Sequence, residues 1–199
     1  MTASGAPQYS ERMGRVYILA LDEILGIEET RHLLTSAGQS GSSGFSFSVI
    51  HRIHQLLGER YGTLAGRGVA QRLGRAAFKY MLGSFGSELG LDALEFRLLP
   101  LRRRMDLGLD LIIQLFKQET NQINRLESAP ESYQWQIENS PFSMPPQQPP
   151  GPACDWMVGF LQEALSWMGG GKYYPVREEN CIASGGSLCT IKIDRNPIG

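Results

Sequence analysis

A chain of 199 residues is about one domain in length, and its formal net charge of −1 offers no excess of positive charge to a polyanion. Hydrophobic residues make up 42% and charged residues 20%, a balance that excludes disorder along the whole chain. The one dense basic run, Arg102 to Arg104, is interpreted as a solvated helix face. Nucleic-acid binding is therefore not expected.

The first apolar stretch, near the N-terminus, is interrupted by Asp22 and Glu23, so it resembles neither a signal peptide nor a membrane span. The chain has three cysteines, an odd number. Without an export signal the expected compartment is the reducing cytoplasm, where neighbouring cysteines are metal ligands more often than disulfide partners.

The first two thirds of the chain predict helices, because apolar residues recur at every third or fourth position. The predicted helices cover residues 15–25, 27–34, 47–60, 69–80 and 101–118. The sequence GQSGSSG at residues 38–44 predicts a flexible connector. We therefore expect a helical N-terminal arm over residues 1–44 and a main body over residues 45–199.

Glycines are frequent in and around the predicted helix at residues 69–80, where Gly66, Gly74, Gly83 and Gly86 each cost helix stability. Close approach of another helix or of a ligand would explain them. A helix broken by turns at these points would give the same pattern.

Beyond residue 120 the spacing becomes that of strands. Tyr133, Trp135 and Ile137 alternate with polar neighbours within residues 131–139, which predicts a strand with one buried face. The preceding residues 121–128 can pair with it as a hairpin.

The last third begins with a segment, residues 141–152, that contains six prolines and predicts an extended loop. A partner protein could bind such a segment, although a spacer is the simpler interpretation. A helix over residues 154–168 and two strands over residues 172–177 and 188–193 are predicted to follow, with a Gly-rich turn between the strands.

Cys154, Glu178, Cys181 and Cys189 are candidate metal ligands. Three thiolates and one carboxylate would fill a tetrahedral zinc shell and leave no open position, which is typical of a structural site. The spacing alone lacks the paired C-x-x-C motifs of ordinary zinc fingers, and three small buried hydrophobes would explain the cysteines equally well.

The segment from Cys154 to Ile193 resembles the end of the 4-vinyl reductase domain family, in which a cysteine precedes a G-F-L helix and E-x-x-C-x-A-x-G-x-x-x-C follows. The matching residues are Cys154, Gly159, Phe160, Leu161, Glu178, Cys181, Ala183, Gly185 and Cys189. In related phenol-sensing regulators the three cysteines and the glutamate hold a structural zinc. The resemblance implies the same Zn²⁺ site here. It is looser from Phe45 to Phe142 and does not cover the N-terminal arm.

The resemblance also implies an α+β fold in which helices pack on an antiparallel sheet, similar to haem-dependent nitric-oxide-binding domains and to a vesicle-tethering subunit family. Members of the family are commonly homodimers. Some sense aromatic hydrocarbons, and others are linked to chlorophyll synthesis or to the assembly of photosystems. The implied functions are binding of a small hydrophobic or tetrapyrrole-like molecule, assembly of photosynthetic complexes with a protein partner, or reduction of a tetrapyrrole vinyl group.

An enzymatic function finds little support in the motifs. Gly66-Arg67-Gly68 is followed by Gln71 where a dinucleotide-binding motif requires its third glycine. His51 and His54 could share a helix face as metal or haem ligands, but with no acidic or cysteine companion they are interpreted as flanking the apolar stripe at the solvent boundary. We expect a binding protein with no catalytic residues.

The candidate hydrophobic site lies between the helix at residues 101–118 and the strand at residues 131–139. The side chains expected to line it are Met105, Leu109, Ile112, Ile113, Phe116, Tyr133 and Trp135. Residue types alone favour an ordinary filled core, and it is the family resemblance that favours a pocket.

Overall fold

The computed structural model describes residues 7–39, 44–144, 151 and 153–198. Within these ranges the chain forms seven α-helices and four β-strands. In chain order they are α1 (Glu11–Leu25), α2 (Ile27–Ser36), α3 (Phe47–Tyr61), α4 (Thr63–Phe85), α5 (Leu94–Leu98), α6 (Leu101–Glu119), β1 (Asn124–Ser128), β2 (Ser132–Ile137), α7 (Asp155–Met168), β3 (Val176–Asn180) and β4 (Cys189–Asp194). Each predicted helix is present, whereas α5 and a 3-10 turn at Ile182–Ser184 were not predicted.

Capping serines set the first turns of two helices. The Ser10 hydroxyl accepts the Met13 N–H at 3.1 Å, and the Ser46 hydroxyl accepts the Val49 N–H at 3.3 Å. The first helix consequently begins at Glu11, upstream of its predicted start at residue 15. Apolar spacing could not indicate this boundary, because the cap and not the buried face determines it.

The four strands form one antiparallel sheet in the order β1-β2-β4-β3. Trp135 in β2 lies opposite Leu126 of β1 and Ile191 of β4. The pairing of β3 with β4 shifts between Glu178 and Asn180, as at a β-bulge. The hairpin predicted from residues 121–139 is therefore confirmed.

The prediction of a strand over residues 172–177 is wrong in its bounds, since the strand is Val176–Asn180. Pro175 explains the difference, because proline has no N–H to donate to a sheet ladder. Glu178 therefore lies inside the strand and not at its end.

Helices α6 and α7 pack against the sheet, α4 packs against α7, and α1 and α3 pack against α4. The backbones of α4 and α7 are in direct contact. A Cβ on Gly74 would collide with the Trp156 carbonyl oxygen, and a Cβ on Gly159 would collide with the Gln71 carbonyl oxygen. Close helix approach thus explains Gly74, and α4 is unbroken. A Cβ on Gly83 would meet no neighbour within 4 Å, so packing does not require that glycine.

The division between an arm (residues 1–44) and a body (residues 45–199) stays a prediction. Tyr17 of α1 is buried in the same hydrophobic core as α4, α6, α7 and the sheet. Residues 40–43 of the predicted connector, and residues 145–150 and 152 of the predicted Pro-rich loop, lie outside the described residues. None of the described helices is both long enough and apolar enough to cross a bilayer.

Candidate functional site

The four predicted metal ligands converge at one point. One donor atom from each of Cys154, Glu178, Cys181 and Cys189 lies within 4.8 Å of all the others. Cys154 immediately precedes α7, Glu178 belongs to β3, Cys181 precedes the 3-10 turn, and Cys189 begins β4. The packing of α7 against β3 thus brings Cys154 to the other three residues.

The turn between Cys181 and Cys189 folds back tightly. The Gly186 N–H donates to the Cys181 carbonyl at 2.9 Å, and Gly185 has φ +91°, a conformation that favours glycine. The Gly-rich turn predicted between the two strands is therefore present, and it returns the chain from Cys181 to Cys189.

The start of α7 is held in place by Asp155. Asp155 is 4% exposed, and its carboxylate accepts hydrogen bonds from Arg67 Nε at 2.7 Å and from Gln71 Nε2 at 2.9 Å, both on α4. The neighbouring Cys154 N–H donates to Glu178 Oε2 at 3.1 Å. These contacts fix the helix end that carries Cys154.

Replacement of Asp155 with Asn should destabilise the fold by about 1–3 kcal/mol, because the buried charge-assisted bonds to Arg67 are weakened. Urea unfolding measures the loss. Glu88→Gln is the matched control, since Glu88 pairs with Arg12 on the exposed surface and such pairs contribute about 1 kcal/mol or less. Equal effects of the two substitutions would contradict the anchoring role.

The sulfur atoms share an extensive hydrogen-bond network. Hydrogen bonds that Cys189 Sγ shares with the Cys154 and Cys181 sulfurs, with the Ser143 hydroxyl at 3.0 Å and with the Ile182 N–H at 3.4 Å lower the pKa of Cys189 to about 3. Hydrogen bonding to the other two thiols, together with burial, raises the pKa of Cys154 well above its ordinary value. Burial is also the main cause that raises the pKa of Glu178 to about 8. The cluster thus concentrates acidic groups that a cation would neutralise.

The residues present fit a tetrahedral zinc ion. With Zn–S bonds of about 2.3 Å, two sulfurs of a tetrahedral site are about 3.8 Å apart. The Sγ atoms of Cys181 and Cys189 are 3.8 Å apart. Glu178 Oε1 is buried and has no hydrogen-bond partner among the described residues, so it is available as the fourth donor. A surface cleft of about 120 Å³ is lined in part by Glu178 and Cys181.

Two positioning groups were missed in the sequence. Asp155 anchors Cys154, and the hydroxyls of Ser140 and Ser143 lie 3.5 Å from Cys154 Sγ and 3.0 Å from Cys189 Sγ. An acidic residue directly after a ligand, in the first turn of a helix, was the available signal for Asp155. The serines carried no such signal, because they precede the cluster in an irregular segment.

The seven residues predicted to line a hydrophobic site lie on α6 and β2, as expected from their spacing. All but Ile113 are buried with at most 3% exposure, and Ile113 is partly buried. The polar atoms of the two aromatic residues on β2 already have partners. Tyr133 donates to Asp106 at 2.6 Å, and Trp135 Nε1 donates to Asn124 Oδ1 at 3.0 Å. This interface is therefore apolar and internally satisfied.

The two histidines of α3 differ in environment. His51 is partly buried, as predicted for the solvent boundary, and its Nε2 lies 3.0 Å from the Gln55 side-chain nitrogen. The His54 ring instead contacts Phe142 at a centroid distance of 4.7 Å, and its Nε2 is buried without a partner among the described residues. His54 as a whole is nevertheless partly buried, like His51, as expected for residues that flank the apolar stripe.

Burial lowers the pKa of His54 from 6.5 to about 3. Between these pH values the unfolded chain binds a proton at this position that the folded chain does not, so stability falls as the pH falls from 6.5 towards 3. We expect His54→Phe to flatten the dependence of unfolding free energy on pH, by up to about 1.4 kcal/mol per pH unit. Urea unfolding at several pH values measures the slope. The exposed His32→Gln variant should keep the wild-type slope, and an unchanged slope in His54→Phe would refute the prediction.

Comparison with known proteins identifies the fold of this chain but does not assign the chain to a family. No protein-family profile and no curated protein sequence matches the chain. An H-NOX protein from S. oneidensis, in the Fe(II)NO ligation state, is similar with a TM-score of 0.66 and 12% identity over 94% of this chain and 99% of that one. An H-NOX protein from K. algicida has a TM-score of 0.63 and 13% identity over 94% and 96% of the two chains.

A third similar structure is the phenol-responsive sensory domain of the transcription activator PoxR with phenol. Its TM-score is 0.57 with 14% identity, over 84% of this chain and 90% of that one. Identities this low show the fold alone. The predicted α+β class, with helices on an antiparallel sheet, is confirmed as an H-NOX-like fold.

The residues present do not fit a haem group. A haem iron is commonly held by a histidine, and the three histidines of this chain lie on α2 and α3, with none on α6 or in the sheet. His32 is exposed, His51 lies against Gln55, and His54 packs against Phe142.

Proposed function

We propose that this protein binds a small hydrophobic or tetrapyrrole-like molecule without transforming it, and that a structural Zn²⁺ on Cys154, Glu178, Cys181 and Cys189 holds the C-terminal part of the domain. The observation that carries the zinc site is the convergence of the four donor atoms within 4.8 Å. Four protein donors leave no position for a catalytic water, which favours a structural ion over a catalytic one. A reducing cytoplasm would keep the three thiols available as ligands.

The ligand-binding role is supported by the fold shared with the phenol-responsive domain of PoxR and by the apolar interface of α6 and β2. The ligand would contact Met105, Leu109, Ile112, Ile113, Phe116, Tyr133 and Trp135. Their burial implies that side chains move to admit it. The C-terminal motif from Cys154 to Cys189 supports a relation to the 4-vinyl reductase domain family.

Native mass spectrometry of the protein purified from its own host tests this function. We expect one zinc ion and a bound organic molecule of low mass per chain. A zinc-free chain would refute the metal site, and a chain without any organic ligand would refute the binding role. Turnover of a vinyl tetrapyrrole with an added reductant would instead establish an enzyme.

A second candidate function is that of a scaffold for the assembly of photosynthetic complexes. It is favoured by apolar side chains exposed on the N-terminal helices, where Ile27 is 64% and Leu19 36% exposed.

The same surface could join two copies of the chain in the expected homodimer. Light scattering after size exclusion tests the dimer, and a monomer at micromolar concentration would count against it. Replacement of Ile27 with Glu should then dissociate the dimer.

A further inference from the structure

Arginines are concentrated where α5 meets α6. Arg97 belongs to α5, and Arg102, Arg103 and Arg104 lie in the first turn of α6. The segment 92–104 has these four arginines but only two acidic residues. Within the described part of the chain none of the four forms an ion pair, whereas most of the other arginines do. This junction therefore carries positive charge that the folded chain does not neutralise.

The stability of α6 does not explain its arginines. The N-terminal end of a helix carries a partial positive charge, so acidic side chains stabilise it and basic side chains oppose it. The first turn of α6 contains no acidic residue, and Pro100 before it provides no side-chain cap. The arginines thus weaken their own helix, and a role in binding an external anion accounts for them better than a role in folding.

Apolar side chains are exposed at the same junction. Leu94 and Leu98 of α5 are 66% and 72% exposed, and Leu101 at the start of α6 is 37% exposed. Phe96, midway between the first two, is buried and stacks on Trp167 of α7. Residues two positions apart lie about 200° apart around a helix. Leu94 and Leu98 therefore face away from the body of the protein.

These leucines and arginines belong to one continuous surface. Arg104 Nη1 donates to the Arg97 carbonyl at 2.8 Å, which joins the first turn of α6 to α5. Of the eleven large hydrophobic residues that are exposed in the described ranges, four lie within residues 94–107. Single exposed leucines are ordinary, so it is their grouping beside unpaired arginines that indicates an interaction surface. We call the following six residues the leucine-arginine surface: Leu94, Arg97, Leu98, Leu101, Arg102 and Arg103.

A groove beside this surface has the same character. Its volume is about 250 Å³, and no acidic residue lines it. The lining residues are Phe96, Arg97, Arg104, Trp167, Met168 and Gly170. Arg104 Nε is buried there with no hydrogen-bond partner among the residues that the structure describes. The groove thus adds cations and aromatic rings, which suit a molecule with an anionic group on an apolar body.

We propose that the leucine-arginine surface docks on a membrane that contains anionic phospholipids. Leu94 and Leu98 enter the boundary between head groups and acyl chains, while the arginines contact the phosphates. An acidic protein would match the arginines alone. A lipid surface also matches the leucines, because its apolar layer lies directly beneath its charges. This inference concerns where the protein binds and is independent of its proposed ligand.

Sedimentation of the full-length protein with vesicles tests the proposal. The probes are vesicles of phosphatidylcholine alone and of phosphatidylcholine mixed equally with phosphatidylglycerol. We expect the wild type to bind the anionic vesicles at least roughly tenfold more tightly than the neutral ones, since each arginine near an anionic surface contributes roughly fivefold.

Two double variants separate the contributions of charge and apolar surface. Arg102→Gln with Arg103→Gln should lower affinity for the anionic vesicles roughly twentyfold, because two such arginines are removed. Leu94→Ser with Leu98→Ser should lower it roughly tenfold or more, although this variant keeps every charge.

Matched controls come from exposed positions on α4. Leu64→Ser removes a leucine that is 83% exposed, and Arg72→Gln with Arg75→Gln removes two charges. Both controls should bind anionic vesicles as the wild type does. Circular dichroism should show every variant folded, since only exposed side chains are replaced.

Any of the following results would overturn the proposal. The wild type fails to bind anionic vesicles, or binds both kinds of vesicle equally. The arginine variant loses affinity while the leucine variant keeps it, which is general attraction between charges. The α4 controls lose as much as the junction variants. Light scattering shows that the leucine variant has a smaller oligomeric state than the wild type, which assigns the surface to a second copy of the chain.

Discussion

The Cys181→Ser variant is expected to lose its zinc and to melt roughly 10 °C below the wild type. The three remaining donors no longer complete a tetrahedral shell, and a serine hydroxyl does not deprotonate to replace a thiolate. Without the ion, Cys154, Glu178 and Cys189 remain as a buried acidic group, and α7 loses its link to β3 and β4. For a chain of this size, each kcal/mol of lost unfolding free energy lowers the melting temperature by about 2–4 °C. The expected shift therefore corresponds to a loss of several kcal/mol of unfolding free energy.

Ala183→Ser is the matched control for that variant. Ala183 is fully buried in the 3-10 turn beside Cys181, so the substitution adds the same hydroxyl to the same turn but removes no donor. We expect it to retain one zinc ion per chain. Metal content by inductively coupled plasma mass spectrometry and melting by circular dichroism measure both variants. A full complement of zinc in Cys181→Ser would disprove the assigned ligand set.

The Gly159→Ala variant is expected to lose about 3 kcal/mol of unfolding free energy, although alanine favours helices. The new Cβ would meet the Gln71 carbonyl oxygen, which belongs to the backbone of α4 and cannot rotate away. The two helices would have to separate, and their contact lies beside Trp156 and Cys154. Urea unfolding measures the loss.

Gly68→Ala provides the control for the helix-crossing prediction. Gly68 lies in α4, is exposed, and would place its Cβ with no heavy atom within 4 Å. Its replacement should stabilise the protein by about 0.5–1 kcal/mol through helix propensity alone. A Gly159→Ala variant as stable as Gly68→Ala would contradict the direct contact between the backbones of α4 and α7.

Periodic patterns predicted the elements well and their ends less well. Helices α3 and α6 were recovered nearly residue for residue, because apolar spacing alone defines a helix with one buried face. The start of α1 depends on the Ser10 cap, and the start of β3 depends on Pro175, neither of which alters that spacing. Residues 182–184 form a single 3-10 turn, too short to show any period.

The two parts of the site differ in how far the sequence predicts them. The convergence of Cys154, Glu178, Cys181 and Cys189 was predicted from the family resemblance, because their spacing alone fitted three small buried hydrophobes equally well. The positioning role of Ser140 and Ser143 was not predicted, since both lie in an irregular segment outside the ligand motif and each, taken alone, is an ordinary polar residue. Only their contacts with the sulfurs of Cys154 and Cys189 in the folded chain distinguish them.

The strand order leaves β1 and β3, of five residues each, at the two edges of the sheet. An edge strand offers unpaired backbone groups to another chain, and shortness and charge oppose such pairing. Both edges carry ion pairs, Arg125 with Glu138 and Arg177 with Asp194. The sheet is therefore protected against growing into fibrils by strand addition, and self-association of this protein is expected to proceed through its helices.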